Sequence, residues 1–140
     1  MSNIKLSLDD IAYINMFEKI TKAGVKDCIV NEDKGKVTFV VNEGQVGMAI
    51  GKGGANVKKM QNKLNKKIEI LEYSEDPLKF LANILRPVKL KNAYVSERSD
   101  GKKTIHASVM RNNYGLVRSK INTAKKFMSK YYKFDDIIIK

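Results

Sequence analysis

The chain opens with apolar residues at helical spacing. Their intervals of three and four predict one apolar helix face, made by Leu8, Ile11, Ala12, Met16, Phe17 and Ile20. Ser7 and Asp10 have the spacing of a capping box, in which side chains satisfy backbone groups at the start of a helix. The helix is therefore expected to begin at Ser7 and to end at Ala23-Gly24.

Two runs of β-branched residues follow this helix. Residues 28–30 and 36–41 flank a Gly-containing turn at residues 32–35, and together they predict a β-hairpin. Residues 46–65 return to helical spacing, interrupted by a cluster of glycines, and residues 67–71 alternate like a half-buried strand. The predicted order in the first half is therefore αββααβ.

The second half repeats this order. A helix is predicted from Pro77 to Arg86, because Pro is favourable in the first turn of a helix and Pro87 ends it. Residues 88–96 and 103–109 are predicted to form a hairpin. A long helical segment follows at residues 113–132 and a last strand at residues 137–139.

Matching landmarks in the two halves lie at nearly constant separation. Gly35 and Gly101, which stand in the two hairpin turns, are 66 residues apart. This repeat predicts an α+β fold of two domains, residues 1–74 and 75–140, each with helices on one face of its sheet. Each domain is small for a stable core of its own, so we expect the two to pack together.

The net charge of the chain indicates what class of partner it binds. Basic residues outnumber acidic ones by 27 to 15, a net charge of +12, which favours a polyanionic partner and nucleic acid ahead of anionic lipid. The surplus is uneven, since residues 1–74 carry +3 and residues 75–140 carry +9.

The remaining composition excludes several classes of protein. The chain is 43% hydrophobic, which argues against disorder, and no apolar run approaches the roughly 20 residues of a membrane span. The amino terminus lacks a secretory signal, and the single Cys28 excludes an internal disulfide. We therefore expect a soluble, cytoplasmic monomer without a membrane partner, in which Cys28 is a core residue.

The glycine cluster at residues 51–54 departs from two common nucleotide-binding loops. A Walker A loop needs Ser or Thr after its Lys, whereas Gly53 follows Lys52. A dinucleotide fingerprint that begins at Gly51 needs Gly where Asn56 stands. A nucleotide-binding enzyme remains as an alternative, which ATP or GTP hydrolysis that is lost in Lys52→Ala would support.

Between two helical segments of an αββααβ unit, this cluster resembles the GxxG loop of a type II KH domain, a fold that binds single-stranded RNA. Glycines let backbone amides approach phosphates, and the start of the next helix adds partial positive charge. The predicted RNA-binding residues here are the loop, its apolar flanks and its cations: Ile50, Gly51, Lys52, Gly53, Gly54, Val57 and Lys58. A tight turn without a ligand is the alternative. Met48 and Met60 are expected in the core.

The resemblance extends into the connector between the halves. The motif is Val46-Gly47 before the loop, then Tyr73-Ser74-Glu75-Asp76-Pro77, Phe80, Asn83, Leu85 and Pro87. It is similar to the joint between the tandem KH domains of the NusA family of transcription factors. The chain has room for neither the polymerase-binding domain nor the OB-fold domain of bacterial members, so it resembles the KH-only NusA proteins of archaea.

Membership of that family implies RNA binding during transcription and an effect on termination or antitermination. It also implies single-stranded RNA and RNA polymerase or the elongation complex as partners, with no catalysis and no cofactor. A KH protein of ribosome assembly or RNA maturation remains the alternative, and co-purification with polymerase or with ribosomes distinguishes the two.

The second repeat departs from the family pattern where its own loop would lie. Ser119 and Ile121 place Cβ atoms there, so this segment is expected to be a poorer phosphate cradle than the first loop. Its cations are nevertheless predicted to extend the RNA track: Arg118, Lys120, Lys125 and Lys126. The alternative is a structural domain that supports the first. His106 has no second His or Cys at metal-ligand spacing, so no metal is expected.

Overall fold

A computed structural model describes residues 8–140, and the predicted cap at Ser7 lies outside them. The chain divides between Ser74 and Glu75 into two compact units, each described here by itself. Within the described residues, no helix is both long and apolar enough to cross a bilayer.

The first unit contains the predicted αββααβ order. Its elements are α1 Leu8–Thr21, β1 Val25–Asn31, β2 Lys36–Val41, α2 Val46–Ile50, α3 Ala55–Leu64 and β3 Lys67–Glu72. Strand β2 lies in the centre of the sheet, antiparallel to β1 and parallel to β3. Because β3 pairs on one side only, it forms an edge of the sheet, and α2 and α3 both contact it.

Alternation along β2 explains the core of this unit. Phe39 faces the helices and stacks on Phe17 of α1, with ring centroids 4.2 Å apart, while Ala49 of α2 and Met60 of α3 close the same core. Cys28 is also buried there, and burial raises the pKa of its thiol to about 12. The predictions that Cys28 and Met60 are core residues are confirmed, and the thiol stays protonated and unreactive at neutral pH.

The second unit has one helix fewer. Its elements are α4 Pro77–Leu85, β4 Asn92–Glu97, β5 Lys103–Ser108, α5 Tyr114–Tyr132 and β6 Asp136–Ile139. Strand β5 is central, antiparallel to β4 and parallel to β6, as in the first sheet. The aromatic rings of α4 and α5 form the core, where Phe127 lies edge-on to Phe80 at 5.8 Å and stacks on Tyr131 at 5.4 Å.

Three predicted boundaries were wrong, and one of them is the start of β1, which lies at Val25 rather than at Cys28. Helix α1 ends at Thr21 rather than at Ala23-Gly24, because the Thr21 hydroxyl donates to the Phe17 carbonyl and accepts from the Ala23 N–H, while Lys22 takes a left-handed φ of 65°. Strand β4 begins at Asn92 rather than at residue 88, because Val88 turns back to donate its N–H to the Leu85 carbonyl. The α+β class is confirmed, and so is the order αββααβ in the first unit. Its exact repetition in the second unit was wrong, because one continuous helix, α5, stands where two were expected.

Candidate nucleic-acid interface

The glycine cluster is the break that separates α2 from α3. Gly51, Gly53 and Gly54 have φ angles of 78°, 62° and 77°, all in the left-handed region that residues with a Cβ rarely adopt. A short 3-10 turn at Lys52–Gly54 joins the two helices. The three glycines therefore cause the break, as their spacing predicts.

Asn56 closes this loop from within. Its Nδ2 donates to the Met48 carbonyl at 3.0 Å, which ties the first turn of α3 back to α2. A Cβ added at Gly51 would lie 2.8 Å from both Cγ and Nδ2 of Asn56, so only glycine leaves room for this contact. Asn56 was not predicted as a loop residue, although its position two residues after the cluster was the available signal.

The outer side of the loop is open. A Cβ built at Gly53 or Gly54 meets no heavy atom within 4 Å, and the Lys52 side chain is exposed. Gly54 is the N-cap of α3 and supplies no side chain to its first turn, where the partial positive charge of the helix lies. An anion such as a phosphate therefore meets glycine backbone, a helix N-terminus and a lysine at one place.

An apolar wall lies next to the loop. The Ile50 side chain is 38% exposed at the end of α2, and Val57 is half-buried in α3. Met48 is 51% exposed, so its predicted place in the core was wrong. Because α2 places Ala49 inside, its neighbours Met48 and Ile50 point outward and widen the wall.

The helix after the loop carries the basic residues of this surface. Lys58, Lys59 and Lys63 are exposed, and α3 contains no acidic residue. Lys58 follows Val57 directly, so the apolar wall is bordered by positive charge. Strand β3 is an edge of the sheet, and backbone groups on its outer side between residues 67 and 71 can hydrogen-bond the edges of unpaired bases.

The second unit has no equivalent break. The segment expected to be a degraded loop, residues 115–122, lies inside α5, which runs without interruption from Tyr114 to Tyr132. Ser119 donates its hydroxyl to the Leu116 carbonyl and keeps helical geometry. A groove of about 320 Å³ remains between α5 and β6, and its lining residues are Tyr114, Val117, Arg118, Ile121, Ile137 and Ile139.

Two of the four cations predicted to bind RNA in this unit are engaged in structural contacts. Lys120 is half-buried and donates to the Arg86 carbonyl beyond the end of α4, and Lys125 lies 3.2 Å from Asp136. Arg118 and Lys126 are exposed.

Asp136 is held in its charged form by two neighbours. The Ile137 N–H donates to its carboxylate at 2.8 Å, and this bond, together with Lys125, lowers the pKa of Asp136 below its ordinary value. The Lys125–Asp136 ion pair is thus intact at neutral pH, and it anchors α5 to the start of β6.

His106 takes part in a local contact on the second sheet. Its Nε2 lies 2.8 Å from the Ser96 hydroxyl, and its ring stacks on Tyr94 at 4.8 Å. Within residues 8–140, the structure gathers no group of three or more His, Cys, Asp or Glu side chains that would hold a metal ion.

Comparison with known proteins places these features in a family. A model of the KH domain matches residues 12–99. A protein of Methanocaldococcus jannaschii named "Probable transcription termination protein NusA" is 37% identical, over 98% of this chain and 75% of its own length. A protein of Halococcus morrhuae with the same name is 30% identical, over 96% of this chain and 98% of its own.

A solved structure agrees with these relatives. The crystal structure of a protein designated APE1850 superposes with a TM-score of 0.82 at 30% identity, and it covers 96% of this chain and 100% of its own. The two units, each with helices and a three-stranded sheet, are therefore tandem KH domains. The chain belongs to the KH-domain family, as a protein of the archaeal NusA type.

Proposed function

We propose that this chain binds single-stranded RNA during transcription and acts on termination or antitermination, without catalysis of its own. The observation that carries the proposal is the loop at Gly51–Gly54, where three left-handed glycines interrupt a helix beside an exposed apolar wall. The names of the relatives, which are those of transcription termination proteins, support the process. The cytoplasm, where the transcript is made in archaea, is the proposed location.

The glycine loop and the apolar wall contact different parts of the RNA. A phosphate of the RNA lies against the backbone at Gly53 and Gly54, where no Cβ hinders its approach, and Lys52 supplies the formal positive charge. Bases from the same strand lie against Ile50 and Val57. Because their edges then face β3, the groove accepts unpaired bases and excludes a duplex.

The second unit contributes mainly charge. Residues 75–140 carry a net charge of +9, and Arg118 and Lys126 are exposed on α5. Without a glycine break, this unit attracts phosphates but holds none as closely as the first loop does. It therefore extends the RNA track and adds affinity that depends on salt.

The test is the double substitution of Lys52→Asp with Gly53→Asp. It adds negative charge and side-chain bulk where the phosphate lies, and Asp is among the residues that best tolerate a left-handed φ. We expect affinity for a short single-stranded RNA, measured by fluorescence anisotropy, to fall at least about tenfold, since contacts to charged groups are individually strong.

The chain offers a matched control for this variant in the β1–β2 turn. Lys34→Asp with Gly35→Asp makes the same changes of residue and charge, at a glycine with φ of 59° and no neighbour within 4 Å of its added Cβ. RNA affinity in the control should change by less than about twofold. Equal losses in the two variants, or unchanged affinity in a folded loop variant, would reject the loop as the RNA site.

The proposed partner in the cell is the transcribing RNA polymerase. A tagged chain should co-purify with polymerase, in a manner sensitive to ribonuclease if the nascent transcript makes the link. Recovery with ribosomal subunits instead would assign the protein to ribosome assembly or RNA maturation.

A further inference from the structure

One row of side chains stands open on the second sheet. Tyr94 of β4, His106 of β5 and Ile138 of β6 are directly opposite one another in the register of the three strands. They alternate with Ile105 and Ile137, which are buried on the other face. Tyr94 is 54% exposed and Ile138 is 38% exposed, so the row faces away from the core of the unit.

The rings of this row are fixed in place. Tyr94 and His106 are stacked with centroids 4.8 Å apart and planes within 8° of parallel, and His106 is held by its 2.8 Å contact with Ser96. Two stacked rings anchored on neighbouring strands lose little conformational freedom when a third planar group binds them.

A pocket of about 210 Å³ adjoins these rings. Besides Tyr94, His106 and Ile138, polar side chains line it: Asn92, Ser108 and Lys140. Amide and hydroxyl groups beside a π surface suit a nucleobase, which offers both a face and hydrogen-bonding edges. The charged lining residue is a lysine, which suits the phosphate attached to such a base.

The first sheet lacks this surface at the equivalent positions. Its matching row is Ile29, Thr38 and Glu69, joined by the same pairing of strands, and it contains no ring. Thr38 is buried and donates its hydroxyl to the Glu69 carboxylate, while Ile29 and Glu69 are half-buried. The two sheets share one topology, yet the second presents two stacked rings where the first presents an aliphatic side chain and a hydrogen-bonded polar pair. The open row is therefore a specific property of the second unit and is not required by the fold.

We propose that the Tyr94–His106 platform, with its pocket at Asn92, Ser108 and Lys140, binds an unpaired base of single-stranded RNA by stacking. The site is separate from the glycine loop and from the groove between α5 and β6, and it rests on the proposed binding of RNA. Single-stranded RNA is favoured over a protein partner because exposed aromatic rings stack on bases of any sequence, and residues 75–140 carry a net charge of +9.

The absence of tryptophan from the chain allows a local probe of this site. In Tyr94→Trp the sole indole reports on the platform, and we expect a short oligouridylate RNA to quench its fluorescence with a saturable dependence on RNA. Polyphosphate, which carries charge without bases, should leave the emission nearly unchanged. Quenching by RNA should persist in the background of Lys52→Asp with Gly53→Asp, so that a failure of the loop is distinguishable from a failure of the platform.

Affinity measurements separate stacking from apolar contact. Tyr94→Leu keeps apolar bulk but removes the ring, and it should weaken RNA binding at least about fivefold. Tyr94→Phe keeps the ring and should stay within about twofold of the parent chain. Circular dichroism verifies that both variants are folded.

Three results would overturn the proposal. They are a folded Tyr94→Leu chain with unchanged RNA affinity, equal quenching by polyphosphate and RNA, and quenching that grows with protein concentration in the absence of RNA. The last result would assign the face to contact between two copies of the chain.

Discussion

The two units share strand order and pairing, yet the helical segment after the hairpin is broken in the first unit and continuous in the second. In the first unit, three left-handed glycines break the helix and open backbone to solvent between α2 and α3. In the second unit, the equivalent residues continue as the single helix α5. One fold therefore has an open glycine loop in one copy and a continuous basic helix in the other.

A hydrogen bond within the first unit restrains the glycine break between α2 and α3. A break made only by glycines is flexible, because glycine populates many backbone conformations. Asn56 limits that freedom through its bond to the Met48 carbonyl, and Gly51 makes the bond sterically possible. The loop is thus held in shape before a ligand arrives, which lowers the entropy cost of binding.

The largest expected difference between the units is the response of their glycines to alanine. Gly51→Ala places a Cβ against Asn56 at a left-handed φ, and it should lower the free energy of unfolding by about 2 kcal/mol. Gly115→Ala lies in the first turn of α5, meets no atom within 4 Å, and should raise that free energy by up to about 1 kcal/mol. Urea denaturation measures both, and effects of the same sign would contradict the proposed role of the break.

Substitutions of Asn56 and Asn122 test the same comparison, with a smaller expected effect on stability. Asn56→Ala removes the bond to the Met48 carbonyl and should cost about 1 kcal/mol of stability and several-fold in RNA affinity. Asn122→Ala, at an exposed position of α5, should leave RNA affinity unchanged and raise stability by about 0.5 kcal/mol, because Ala has the higher helix propensity. Thermal unfolding and RNA titration of the two variants provide the test. Equal affinities would mean that Asn56 does not shape the RNA site.

The cations of the second unit should separate by their contacts. Arg118→Gln and Lys126→Gln remove exposed charges, and each should reduce the slope of log affinity against log salt by about 0.7 if it meets one phosphate. Lys120→Gln instead removes the bond to the Arg86 carbonyl, so we expect lower stability with little change of slope. A slope that is unchanged in both exposed variants would mean that α5 makes no contact with the phosphates of the RNA.

The smallest effect concerns acid and the ion pair of α5. Because the pKa of Asp136 is lowered in the folded chain from its ordinary value of 3.8, its contribution to stability is present above that value and is lost as the pH falls through the lower folded value. Since both side chains of the pair are about half exposed, that contribution should stay below about 1 kcal/mol. Asp136→Asn should flatten this part of the acid unfolding curve, and an unchanged curve would mean that the pair contributes nothing.

Periodicity and turn residues were enough to predict nearly every element. Apolar spacing located α1, two β-branched runs about a Gly-containing turn located β1 and β2, and alternation located β3, because these signals are local to each element. The glycine cluster predicted the break for a comparable reason, because glycine adopts a positive φ far more readily than residues with a Cβ.

What the sequence could not reveal depends on tertiary contacts. Met48 is an apolar residue of the kind expected in a core. It is exposed because its neighbour Ala49 takes the inward position of the short helix α2. The bond from Asn56 spans eight residues and leaves no periodic signal. Thr38 and His106 occupy equivalent rows, yet alternation alone does not say that the first is buried and the second half-buried.

A titration of backbone amide shifts with a short single-stranded RNA tests the central claim most directly. The claim is that a glycine break, rather than charge alone, makes the RNA site, so the largest shifts should occur at Gly51–Gly54 and at the start of α3. Amides at residues 119–122, hydrogen-bonded within α5, should shift little even when the side chains of Arg118 and Lys126 respond. Shifts that are largest along α5, with the glycine loop unchanged at saturation, would contradict the account.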